Sequence, residues 1–128
     1  CPSRKDLLLA GAEYARQRFE LDRERARTNA GPGREAEAEI ALYEAYCRPQ
    51  SRFFRVWTSL FVAGQADDDV RSRLLAFSTL CQSRLDELGA KSGAQMFATA
   101  LGLGLMAQLS RDPEPAQKVF DQMVETLG

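Results

Sequence analysis

An all-α fold of about six helices is what this sequence predicts. Three observations carry it. Apolar residues recur at spacings of three and four along nearly the whole chain, which is the period of an amphipathic helix. No run alternates apolar and polar residues between turn signals, as a half-buried strand would. Glycine, proline and short polar residues fall at the joints between the periodic segments, where helices start and stop. At 128 residues the chain forms one domain, 1–128, long enough to fold without a metal or disulfide.

The first helix begins after Ser3, a good N-cap residue, with Asp6 placed for the first turn. Leu8, Ala12, Ala15 and Phe19 make its inner stripe, and Leu7, Gly11, Tyr14 and Leu21 a flanking one. It is expected to run to about Arg27, with the charged stretch RQRFELDRERAR solvated. The breakers in TNAGPG make a loop at 28–33. Strong helix formers fill 34–46, and Ile40, Tyr43 and Cys47 share a face; the carboxylates Glu35 and Glu39 are read as solvated. Pro49 ends this helix by restricting the residue before it. The third helix, QSRFFRVWTSLFVAG, is the most aromatic, with Phe53, Trp57, Leu60 and Phe61 in one stripe and Gly64 at its close.

Acidic residues at 67–69 suit the N-terminus of a fourth helix. Val70, Leu74, Phe77, Cys81, Leu85 and Leu88 then keep helical spacing up to Gly89. The fifth helix is apolar nearly all round from Met96 to Leu109, so it must be covered on every side. RDPEP breaks it, and Pro115 suits the first turn of the last helix. There Ala116, Val119, Phe120, Met123, Val124 and Leu127 form one face.

Composition excludes several functions. A net charge of −1 gives no global attraction for nucleic acid or an anionic membrane. No apolar run is long enough to span a bilayer. Histidine is absent, which removes the commonest general base and metal ligand. Cys1, Cys47 and Cys81 match no zinc spacing, and no serine, threonine or cysteine has a histidine to activate it. No catalytic residue, metal or cofactor is therefore expected. An odd cysteine count without a signal segment points to a reducing, cytoplasmic setting. The start at Cys-Pro-Ser, without an initiator methionine, reads as the tail of a longer protein.

Two motifs have ordinary explanations. GLGLMA at 102–107 fits a dinucleotide-binding pattern in letters, but no strand precedes it, and close helix packing explains the glycines. ADDD at 66–69 lacks the distal carboxylate of a calcium loop and is read as a helix cap. The aromatic set Tyr43, Tyr46, Phe53, Phe54, Trp57, Phe61, Phe77 and Phe97 admits two readings, a plain core or a pocket between helices. The pocket reading takes Tyr43, Phe53, Trp57, Phe61, Phe77, Cys81, Met96 and Phe97 as its lining. Thr58, Ser78, Gln95 and Thr99 join Cys81 as the candidate polar minority. Its ligand would be a small apolar or aromatic molecule.

The last two helices carry more apolar surface than so small a chain can cover, which points to association. Paired across a two-fold axis they would make a four-helix bundle in a homodimer. Ala98, Leu101, Gly102, Leu105, Phe120, Met123, Val124 and Leu127 are the interface candidates.

CPSRKDLLLA resembles the junction of TetR-family transcriptional regulators, where an aromatic-Pro-Ser-Lys-Glu-x-Leu-Leu pattern opens the long connecting helix. Pro2, Ser3, Leu7 and Leu8 match, Arg4 stands for the lysine, and Cys1 and Lys5 depart from the pattern. DDDVRSRLLAFSTLCQSRLDEL resembles the family's long pocket-side helix, and the segment from Gly93 to Leu127 its final helix pair. The resemblance implies a C-terminal effector-binding and dimerisation domain, most often of a repressor. About fifty residues of helix-turn-helix would then precede Cys1, and DNA would be bound only through them. It further implies that Arg4 contacts a DNA phosphate, a positioning role. The alternative function is a helical protein–protein interaction module without a small-molecule ligand.

Overall fold

The computed structural model describes residues 3–127 and is all-helical, with six helices and no strand among those residues. They are α1 (Arg4–Ala30), α2 (Glu35–Tyr46), α3 (Arg52–Gly64), α4 (Asp68–Glu87), α5 (Gly93–Ser110) and α6 (Glu114–Leu127). Cys1 and Pro2, two residues of the junction motif, lie outside the described residues.

The helix boundaries follow their caps. At α1 the Ser3 hydroxyl accepts from the Asp6 amide at 3.1 Å, and the Asp6 carboxylate accepts from the Ser3 amide at 3.2 Å. This reciprocal box satisfies two donors that the first turn would otherwise leave open. Helix α1 runs three residues past the expected Arg27, because Thr28, Asn29 and Ala30 are all compatible with a helix. The stop is Gly31 at φ +88°, a conformation that side chains resist. Asp67 caps α4 by accepting from the Asp69 and Val70 amides, so the acidic run is a cap as expected. After α4, Gly89 at φ +105° lets the Ala90 amide reach the Leu85 carbonyl and the Gly89 amide reach that of Asp86. This pairing satisfies the open carbonyls of the last turn.

Helix α2 folds back along the C-terminal half of α1, so that Arg23 meets Glu39 and Asp22 meets Tyr46. Helix α4 runs parallel to α1, and three ion pairs mark the register: Lys5 with Asp69, Glu13 with Arg73, and Glu20 with Arg84. Helices α3 and α5 flank α4, and α6 packs on α2 and α5. The α4–α5 contact is very close. A Cβ on Gly93 would lie 2.0 Å from the Gln82 carbonyl oxygen, and the Gly93 amide donates to Asp86 at 2.7 Å.

Two expectations about charge need correction. The second half of α1 is not uniformly solvated, since Arg23 is 2% exposed. Glu39 is not solvated either; it is 1% exposed and holds the Arg23 guanidinium through two bonds of 2.8 and 2.9 Å. Position 39 lies one residue before Ile40 on the inward face of α2, and the neighbouring helix supplies the counter-charge. The flanking stripe of α1 stays outside, with Leu7 and Tyr14 among the exposed large apolar residues.

Candidate functional site

Five helices converge on an aromatic cavity. Helix α1 contributes Phe19, α2 contributes Tyr43, Tyr46 and Cys47, and α4 contributes Phe77. Phe54, Trp57 and Phe61 come from α3, and Phe97, Ala100 and Leu101 from α5. The rings lock by edge and face: Trp57 stacks on Phe77 at 4.3 Å between centroids, and Phe19 stands edge-on to Phe77 and Tyr46 at 5.1 and 4.9 Å. Its volume is about 40 Å³. Small-molecule pockets run to roughly 300–1,000 Å³, so a ligand here must displace a wall.

Of the eight expected lining residues, Tyr43, Trp57, Phe61, Phe77 and Phe97 line this cavity. Phe53 lies beside it, stacked on Tyr46 and beneath the Arg18 guanidinium. Cys81 is fully buried among polar partners, and Met96 lines a separate groove between α5 and α6. Tyr46 and Phe54 belonged to the aromatic set but not to the expected lining. In the sequence Phe19 and Cys47 are core-face positions of their helices, and their part in the wall follows from how α1 and α2 cross. None of Thr58, Ser78, Gln95 and Thr99 reaches the cavity: the threonine hydroxyls donate to carbonyls of their own helices, and Gln95 lines the α5–α6 groove. Ser78 faces a groove between α3 and α4.

The cavity's polar atoms are nearly all engaged. The Tyr43 hydroxyl donates to Glu39 at 2.7 Å, and that of Tyr46 to Asp22 at 2.7 Å. The Cys47 thiol donates to the Ala100 carbonyl at 3.3 Å. Trp57 Nε1 is the exception, buried without a hydrogen-bond partner. A buried donor left open carries a desolvation penalty that a ligand acceptor would relieve. Burial pushes the Cys47 thiol up to about 12, and burial raises both phenols further, assisted by the adjoining carboxylates. These groups stay neutral and serve as apolar wall.

Beside the cavity lies a polar knot. Arg23 forks onto Glu39, donates to Glu20 at 2.7 Å, and approaches the Cys81 sulfur at 3.6 Å. Its guanidinium also covers the Phe19 ring at 5.0 Å. Knot and cavity therefore share Phe19 and Tyr43.

The glycine motif behaves as packing. A Cβ on Gly104 would lie 2.4 Å from Phe54 and 2.8 Å from the Cys47 sulfur, whereas one on Gly102 would meet nothing within 4 Å. Among the described residues no cluster of histidine, cysteine or acidic side chains is suited to a metal. Among the described residues no helix is long and apolar enough to cross a membrane.

The expected interface residues divide. Phe120, Met123 and Leu127 are 1%, 7% and 9% exposed, because α6 turns its apolar face inward onto α2 and α5. They pack within this chain's own core. Ala98 and Leu105 are exposed, and Leu101, Gly102 and Val124 are half-buried. Leu105 continues into Met106 and Leu109, both well exposed. Arg4 is exposed in the first turn of α1.

Compared with family models, curated proteins and solved structures, the chain has no match in any of the three.

Proposed function

We propose that this chain is the effector-binding and dimerisation domain of a TetR-like transcriptional regulator, with a DNA-reading unit joined ahead of α1. The observation that carries the reading is the aromatic cavity, whose wall includes Phe19 of α1 itself. A ligand that enlarges the cavity must move a wall helix, and α1 is the helix that would adjoin the DNA-reading unit. The ligand acts only if it binds one arrangement of α1 better than another. Arg4 is exposed at the start of α1, and in that assembly it would contact a DNA phosphate. The reading assigns the domain no catalysis and no cofactor.

Exposed Leu105, Met106 and Leu109 on α5 support self-association, with Ala98 and Gly102 allowing close approach. The same surface favours the second reading, an interaction module that docks a different protein. Light scattering on the purified chain separates them. The regulator reading expects a dimer that Leu105→Arg converts to monomer without loss of helicity. Phe120→Arg, in contrast, should unfold the chain, because it buries an unpaired charge inside the protomer. A monomeric wild type would remove the dimer and favour the docking module.

A further inference from the structure

Beside the cavity, and sharing Trp57 and Phe77 with it, a groove of about 260 Å³ runs between α1 and α4. Its floor is apolar and includes Trp57, Phe77 and Leu80, and its rim holds Glu13, Arg16 and Arg73. Trp57 and Phe77 line both the groove and the aromatic cavity, so the stacked pair is a partition between them. Groove and cavity together reach roughly 300 Å³, the lower end of the range for small-molecule pockets.

The rim is unevenly paired. Two guanidiniums share the Glu13 carboxylate at close range, with Asp69 a more distant neighbour of Arg73 and Glu20 of Arg16. Arg16 grips Glu13 through two bonds of 2.6 and 3.2 Å, while Arg73 stands 3.8 Å from it, beyond a good hydrogen bond. Arg73 is therefore a cation with donors to spare at the mouth of an apolar trough. A guanidinium in that position selects a carboxylate, which it can meet with two parallel bonds. The partition below carries Trp57 Nε1, the buried donor without a partner.

We propose that this groove is the mouth of the effector site, and that the effector is an amphipathic carboxylate. Its acid group sits at Arg73 and Arg16. Its apolar body, about the size of one ring and a short chain, lies on Trp57 and Phe77 and displaces the partition toward the cavity. The inference rests on the effector-binding reading above and adds the ligand's charge and orientation to it.

Three probes with one body and different heads test it: phenylbutyrate, phenylbutanol and phenylbutylamine. Trp57 is the chain's single tryptophan, so its fluorescence reports binding without a label. Phenylbutyrate is expected to bind about tenfold more tightly than the alcohol, as one charge-assisted contact implies, with the amine weakest. Arg73→Gln should bring the acid down to the alcohol's affinity and leave the alcohol unchanged. Glu13→Gln should strengthen the acid, by removing its competitor for the two arginines. Both positions are partly exposed, and an unshifted thermal midpoint without ligand would show that each variant is folded. If the alcohol binds as tightly as the acid, or Arg73→Gln leaves their gap intact, the carboxylate is wrong while the apolar effector site stands. If none of the three perturbs Trp57, the effector site itself falls, and the carboxylate with it.

Discussion

The interior has two neighbouring regions built on opposite principles. In the knot, Arg23, Glu39, Glu20 and Tyr43 interlock through short, directed bonds. In the cavity, rings meet edge to face around about 40 Å³ of open space, with one donor unmatched. The knot admits one arrangement, since moving Arg23 leaves Glu39 buried without a counter-charge, and moving Glu39 leaves Arg23 only the part-buried Glu20. The cavity admits several, since rings that slide lose only part of their contact. Under the effector-binding proposal, the cavity is the region that yields and the knot the one that does not, and Phe19 and Tyr43 join the two.

Glu39→Leu should give the largest effect, a loss of about 3–5 kcal/mol, because it leaves Arg23 charged in the core. Urea denaturation measures it, and the double variant Arg23→Met with Glu39→Leu should regain most of the loss. A cost under about 1 kcal/mol for the single change would mean the knot is not rigid, in conflict with its burial. Filling the other region should matter less. Gly104→Ala presses a methyl group against Phe54 and Cys47 and should cost about 1–3 kcal/mol. It should also weaken any ligand that needs the cavity.

The two thiols sharpen the contrast, one in each region. Burial pushes Cys47 up to about 12; burial pushes Cys81 up as well, but Arg23 draws it back to about 11. An unfolded thiol ionises near 9, so above that pH the unfolded chain sheds protons that the folded chain keeps. The contribution of the two thiols is therefore level below about pH 9 and falls above it, by up to about 1.4 kcal/mol per pH unit for each, and above about pH 10 the raised phenols of Tyr43 and Tyr46 add to the fall. Cys47→Ala and Cys81→Ala should each flatten that fall in denaturation curves taken across this range, and the Cys81 contribution should level off first. The smallest effect belongs to Trp57→Phe. It removes a donor that has no partner, so its cost should stay within about 1 kcal/mol in the same denaturation assay.

The helices were legible because each carries its own punctuation: Ser3 with Asp6, Gly31, Asp67 and Gly89 act within a few residues of themselves. The aromatic lining was legible in part, because Tyr43, Trp57, Phe77 and Phe97 sit on inward stripes that periodicity finds. What periodicity misses depends on a partner far away in sequence. Glu39 looks solvated until Arg23, sixteen residues earlier, lies across from it. Gly93 looks like any helix start until the Gln82 carbonyl closes over it. Phe120 looks available for another chain until α2 and α5 cover it. A resident charge on an alternating Ala/Glu segment, next to a helix rich in arginine, was the one signal that would have suggested the knot.

Helix α1 has a mechanical property that follows from where it is pinned. Arg23 fixes it to α2 near one end, Phe19 meets the cavity four residues away, and Arg4 stands at the opposite end. At a rise of about 1.5 Å per residue, those arms measure roughly 6 Å and 28 Å. If α4, tied to it by the Lys5, Glu13 and Glu20 ion pairs, moves with it, the helix acts as a lever with its fulcrum at the Arg23–Glu39 salt bridge and a gear ratio of nearly five. A wall shift of about 1 Å at Phe19, too small to disturb the fold, sweeps the far tip by about 5 Å.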